Sequence, residues 1–184
     1  EFFGMTEVTS TTFIDVCIPA AGLPTPAEVM LPMQALDDFE KFEGMYVTLP
    51  QPLVISEYFN FDRFGEFVLS TDRLIQPTAI FEPGSPDVSD LAALNGLDQI
   101  TVDDGRTTSY PDPAVHPNGN VFDLDNLFRG GDTVQEATGV MNYSFGIYRV
   151  QPTKGAIHTS TNPRSAVPDD VGGSLKVSSF NVLN

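Results

Sequence analysis

The chain has 184 residues, room for one main packed core with flanking segments. Nine Lys and Arg against 25 Asp and Glu leave a net charge of −16, which argues against tight, unaided binding to phosphate backbones. A single Cys excludes an internal disulfide, no apolar run approaches the ~18 residues of a membrane helix, and 41% hydrophobic residues with 14 Phe exclude a disordered acidic tail. Gly and Pro, 15 of each, imply many turns and few long helices.

The chain opens on Glu1-Phe2-Phe3-Gly4, with a strand-like run over 2–8, and Cys17 lies in an apolar run that suits a small buried residue. Leu36, Phe39 and Phe42, three apart, predict a short helix over 34–43 closed by Gly44. Met45 to Leu49 alternates as a strand, Pro50-Gln51-Pro52 interrupts it, and Leu53-Val54-Ile55 resumes. Phe64 to Ser70 reads as the next strand. Residues 82–98 read as a loop with about one helical turn capped by Asp90. Gln99 to Asp103 is a strand ending in the turn Asp103-Asp104-Gly105, and 106–120 is a polar loop. Asp123 to Arg129 reads as a short helix stopped by Gly130-Gly131. Two strands, Thr133 to Val140 and Ile147 to Val150, join around Asn142-Tyr143-Ser144. Leu175 to Phe180 alternates again at the end.

Short strands separated by turns predict an all-β fold. Five or six strands with a helix between the third and fourth match a small Greek-key barrel of the OB type, although periodicity alone does not separate barrel from sandwich. Phe3-Gly4-Met5-Thr6-Glu7-Val8 resembles Phe145-Gly146-Ile147-Tyr148-Arg149-Val150, and both precede Thr/Pro-rich stretches. Such long-period similarity suggests tandem units. The expected division is 1–30 as the tail of a preceding OB-like unit, 31–168 as a complete barrel, and 169–184 as a linker and first strand of the next domain. The chain is thus expected to be a piece of a longer polypeptide, with strand stubs at both ends.

Several stretches then carry a family resemblance: 37–47 (DDFEKFEGMYV), 61–70 (FDRFGEFVLS), 100–105 (ITVDDG), 129–134 (RGGDTV), 143–153 (YSFGIYRVQPT) and 176–184 (KVSSFNVLN). Together they are similar to the OB-like region that precedes the catalytic domain in bacterial extracellular nucleases of the endonuclease/exonuclease/phosphatase superfamily. The resemblance implies an extracellular location, and a parent polypeptide whose catalytic domain uses a divalent metal, magnesium or calcium. Asn181 matches the first motif of that catalytic domain, whose remaining motifs would lie beyond residue 184. No catalytic residue is therefore assigned to this chain, and no cofactor within it.

The best nucleic-acid candidate is Tyr58-Phe59-Asn60-Phe61-Asp62-Arg63-Phe64, because bases stack on aromatic faces while Arg neutralises phosphate. The expected contacts are Tyr58, Phe61 and Arg63, extended by Arg73, Arg106, Tyr143 and Arg149. The plainer account is that the Phe residues belong to the core. Asp103 and Asp104 offer hard oxygens suited to a metal such as calcium, though turn-forming is their commoner use. These observations point to a non-catalytic module that binds DNA or presents substrate. An alternative is a structural module forming homo-oligomers or filaments by exchange of terminal strands. An enzyme in its own right is the weakest reading, since no constellation of nucleophile, base and metal ligands is complete.

Overall fold

The computed structural model describes residues 8, 10–15, 22–175 and 177–179. Within them nine strands form one curled sheet: β1 (Ala27–Glu28), β2 (Tyr46–Leu49), β3 (Leu53–Glu57), β4 (Phe67–Ser70), β5 (Ile100–Val102), β6 (Thr133–Gln135), β7 (Ala137–Ser144), β8 (Ile147–Pro152) and β9 (Ile157–Thr159). Their order is β1-β2-β7-β8-β5-β4-β3-β6-β9.

Pro50 and Pro52 explain the curl. Neither donates to a ladder, so the run from Tyr46 to Glu57 breaks into β2 and β3. The first half pairs with β7 and the second with β4. One bent run thus reaches both ends of the β7-β8-β5-β4 stretch. β5 and β8 run parallel, and the other pairs of this stretch are antiparallel. Counted with β2–β3 as one strand, the order is that of a five-stranded OB-like barrel. Alternation fills it: Val47, Leu49, Leu53, Ile55, Phe67, Leu69, Ile100 and Val102 point inward, with Met141 and Val150 from the long hairpin.

Four local expectations need correction. The helix between strands is α2 (Pro86–Leu97), twelve residues long. It follows Ser85 rather than being capped by Asp90, and it lies between β4 and β5. It buries no residue, so it lacks the apolar stripe by which a sequence announces a helix. Second, Asp123 to Arg129 is not helical: Asp123 and Asn126 form an isolated bridge, and the Asn118 and Asn126 side chains bond each other. Amide side chains that offer the backbone local partners favour turns over helix. Third, Phe61–Phe64 is a single helical turn, α1, ended by Gly65 at φ +72°, so the strand expected from Phe64 starts only at Phe67. Fourth, the last hairpin turns at Phe145-Gly146, not at 142–144. Residues 36–42 form a 3₁₀ helix with Phe39 buried, close to expectation.

Cys17, Asn181 and residues 2–7 of the N-terminal run lie outside the described residues, as do Lys176 and Phe180 of the C-terminal run. The described edges of the sheet, β1 and β9, are two and three residues long.

The excursion from Asp103 to Asp132 closes one end of the barrel with an aromatic plug. Phe128 packs edge-on against Phe61 at 4.8 Å and near Phe122 at 5.3 Å. His116, buried, lies 5.6 Å from Phe128 and 4.6 Å from the ring of His158. His116 Nδ1 accepts the Asn118 N–H, which puts the proton of the neutral ring on Nε2. Asp132, also buried, meets His158 Nε2 at 3.2 Å and accepts the backbone N–H groups of Arg129 and Asn162.

Burial, then the neighbouring His158, hold His116 below its ordinary 6.5. Burial alone would raise the Asp132 carboxyl, but its backbone N–H donors and His158 outweigh that and lower it. Both shifts have the same sign for stability. As pH falls below about 6.5 the unfolded chain binds a proton that folded His116 resists, so stability present at neutral pH is lost. The melting temperature is therefore expected to drop between neutral pH and pH 5, before carboxylates titrate. His116→Asn keeps an acceptor for Asn118 but takes no proton, so it should flatten that limb of the melting profile.

Candidate nucleic-acid interface

OB-like barrels bind on the face of their second and third strands, between the loop after the first strand and the loop between the fourth and fifth. Here that face is β4–β5, the first loop is 58–66, and the second is the hairpin tip at Phe145-Gly146. A cleft of about 630 Å³ lies there, bounded by Tyr58 and Phe59 on one side and Tyr143 and Tyr148 on the other, with Val68 and Thr101 on its floor. A second hollow of about 690 Å³ carries Phe64, Arg106, Phe145 and Arg149, and shares Asn60, Glu66 and Ile147 with the first.

The walls are built from packed rings. Tyr143 lies against Tyr148 at 4.7 Å, and Tyr148 against buried Phe39 at 5.6 Å. The Tyr148 hydroxyl donates to Glu40; burial and then that bond push its pKa well above the usual phenol value. Tyr58 packs edge-on to Phe128 at 5.9 Å and remains half-exposed. Two rings are left almost bare: Phe59 is 87% exposed and Phe145 94%.

Phe145 carries a second oddity. Ser144 and Ile147 pair across a two-residue turn in which Phe145 and Gly146 both have positive φ, +53° and +81°. That is the signature of a type I′ turn, whose first position favours Asn, Asp or Gly. A bulky side chain in the left-handed region costs about 1–2 kcal/mol. The ring's partner is the Arg149 guanidinium, 5.8 Å from its centre, and most of its surface stays free for a ligand.

The remaining expected contacts fall into three groups. Tyr58 and Tyr143 line the cleft, and Arg106 lines the second hollow. Arg63 stands over Phe64, 4.9 Å from the ring centre, beside that hollow, whereas Arg73 lines neither. Phe61 is in the core, packed edge-to-face with Phe122 and Phe128 and only 7% exposed, so it offers little to a base. Arg149 is buried too: it pairs with Glu66 and with Asp103 at 2.8 Å, and donates to the Ser144 carbonyl. Its charge is already balanced. It ties loop 58–66, the end of β5 and the hairpin tip together. Phe59 lies within the 58–64 stretch that the sequence marks, although not among the expected contacts; Phe145 lies outside that stretch, and Phe145-Gly146 between two alternating runs is a legible turn signal.

Asp103 and Asp104, the expected metal-ligand candidates, are both engaged within the protein. Asp103 is committed to Arg149 and the Gly105 N–H. Asp104 accepts the Arg106 N–H, faces the Arg106 guanidinium at 3.8 Å and packs against Gly65. Among the described residues no group of three or more His, Cys, Asp or Glu is placed to hold a metal ion.

The sheet order and its two ring-bearing loops define an OB-like barrel with an aromatic cleft on its β4–β5 face. A family model described as Domain of unknown function (DUF8508) matches residues 25–162, which takes in all nine strands, and the chain belongs to that family. No curated protein and no solved structure matches the chain.

Proposed function

We propose that this domain is a non-catalytic module that binds single-stranded nucleic acid, or presents it as substrate, within a secreted nuclease-related polypeptide. The observation that carries this reading is the placement of bare aromatic rings on both loops that flank the β4–β5 face. Stacking on such rings holds single strands without regard to sequence. The parent nuclease, its divalent metal and its extracellular location rest on the family resemblance alone. Strand exchange draws no support from the described edges, since short edge strands disfavour addition.

Electrostatics reshape the expectation. With Arg149 neutralised, the cations beside the two hollows among the described residues are Arg63 and Arg106, the latter already facing Asp104 at 3.8 Å. At most two phosphate contacts give a log–log salt slope no steeper than about −1.4, far shallower than a basic groove would show. Fluorescence anisotropy with a labelled single-stranded oligonucleotide tests this. Binding at low salt with that shallow slope, and a loss of about tenfold in Phe59→Ala, is the expected result. No binding at low salt, with or without magnesium or calcium, would reject the proposal.

A further inference from the structure

We propose that His116 is an acid-operated latch on the cleft: when its buried ring takes a proton, Phe128 loses its seat, and Tyr58, the cleft wall packed on Phe128, loses its place. This adds regulation to the proposed binding site, and its effect on affinity rests on that reading.

His116 is 1% exposed and sits among rings: Phe122 at 6.4 Å, Phe128 at 5.6 Å and His158 at 4.6 Å. The neutral form fits that place, because Nδ1 accepts the Asn118 N–H. A protonated imidazole carries N–H groups at both nitrogens and accepts nothing. Protonation therefore sets Nδ1–H against the Asn118 N–H across the 3.0 Å that a hydrogen bond now spans. The new charge stands beside His158 and finds no side-chain acceptor at Nε2. The charged groups around it are already engaged. Asp132 serves His158 and two backbone N–H groups. Asp103, Asp104 and Lys154 line a small cavity of about 40 Å³ beside the ring, with Asp103 held by Arg149 and Asp104 facing Arg106. Burial and then His158 favour the neutral ring, so the latch is shut at neutral pH and opens under acid.

Phe128 carries the change to the cleft. It packs on the His116 ring, and the Asn118 side chain bonds Asn126, two residues before it. Phe128 in turn backs Tyr58 edge-on. Gly130 lies so close that a Cβ there would stand 2.9 Å from Tyr58 Cε1. Tyr58 is half-exposed, so the place of its ring depends on what stands behind it. Once the turn at 116–120 loses its Nδ1 bond, 126–130 shifts and Tyr58 follows through contiguous contacts.

NMR of the full chain without ligand, from about pH 7.5 to about pH 5, tests this. The His116 ring and the amides of Tyr58, Phe128 and Gly130 should titrate together with a midpoint below 6.5, while the amides of β2 and β7 stay in place. His116→Asn should abolish the shift at Tyr58. Phe128→Leu should leave His116 titrating and uncouple Tyr58 from it. A labelled thymidine oligomer, whose base does not titrate in this range, should bind the natural chain about fivefold or more weakly at the acid end, and His116→Asn no more weakly there than at neutral pH. Protonation of the cleft carboxylates Asp37, Glu57 and Glu66 would ease phosphate repulsion and act in the opposite direction. A stationary Tyr58 while His116 titrates, a His116 ring still neutral at the acid end, or shifts spread over every strand would overturn the latch. Affinity that ignores pH while Tyr58 moves would overturn its control of binding. An oligomer that binds at no pH rejects the nucleic-acid reading, and the ligand-free titration still decides the latch.

Discussion

Arg149→Ala is expected to destabilise the domain by about 3–5 kcal/mol, the usual cost of removing one partner from a buried ion pair. The Arg149 side chain is only 6% exposed and stands between Glu66 and Asp103, themselves 12% and 10% exposed. Deleting it leaves two neighbouring carboxylates in a poorly hydrated site, and the Ser144 carbonyl loses a donor. Arg149→Lys keeps the charge but not the forked geometry that reaches both carboxylates and the carbonyl, so it should restore only part of the loss. Urea denaturation monitored by circular dichroism measures both. A loss under about 1 kcal/mol for Arg149→Ala would show that the triad is solvated and places nothing. Ligand binding separates a positioning role from contact. In Arg149→Lys at a temperature where it is folded, affinity should fall together with the order of the hairpin tip, and the salt slope should stay as it was.

The second large effect separates binding from stability at one residue. Phe145→Asn replaces a strained side chain by one that tolerates the left-handed region at the first position of a type I′ turn. The fold should gain about 1 kcal/mol, which for a domain of this size raises the melting temperature by about 2–4 °C. Oligonucleotide affinity should move the other way, falling about 5- to 100-fold if the ring stacks on a base. A variant that is both more stable and weaker in binding is hard to obtain by general damage. If Phe145→Asn is stabilised and binds unchanged, the exposed ring has no part in this interaction.

Much of the fold was legible because its signals are local. The broken run Tyr46 to Glu57, with two prolines at its middle, marks the bent first strand. The alternations around Phe67–Ser70 and Ile100–Val102 mark the strands that carry the cleft floor. α2 is longer than its sequence signals, because a helix that buries nothing has no apolar period to detect. β1 and β9 are too short to announce themselves, and each is defined only by the strand it adds to. The site was half legible. Tyr58 and Tyr143 could be picked from composition and spacing. The fates of Phe61 and Arg149 could not, since nothing local tells a core ring from a bare one, or a free guanidinium from one held by carboxylates 46 and 83 residues away. The His116–His158–Asp132 cluster escaped for the same reason: its members meet only once the 103–132 excursion folds back on the barrel.

Ligand is expected to land on the β4–β5 face. Titrating an isotopically labelled sample with a short single-stranded oligonucleotide, and following backbone amide shifts by NMR, reads that directly. Perturbations concentrated on 57–60, 66–68, 99–101 and 143–148, with the 121–127 segment unmoved, are the predicted result. Shifts centred on that other segment or on the β9 edge, or none at all at saturating oligonucleotide, would contradict it.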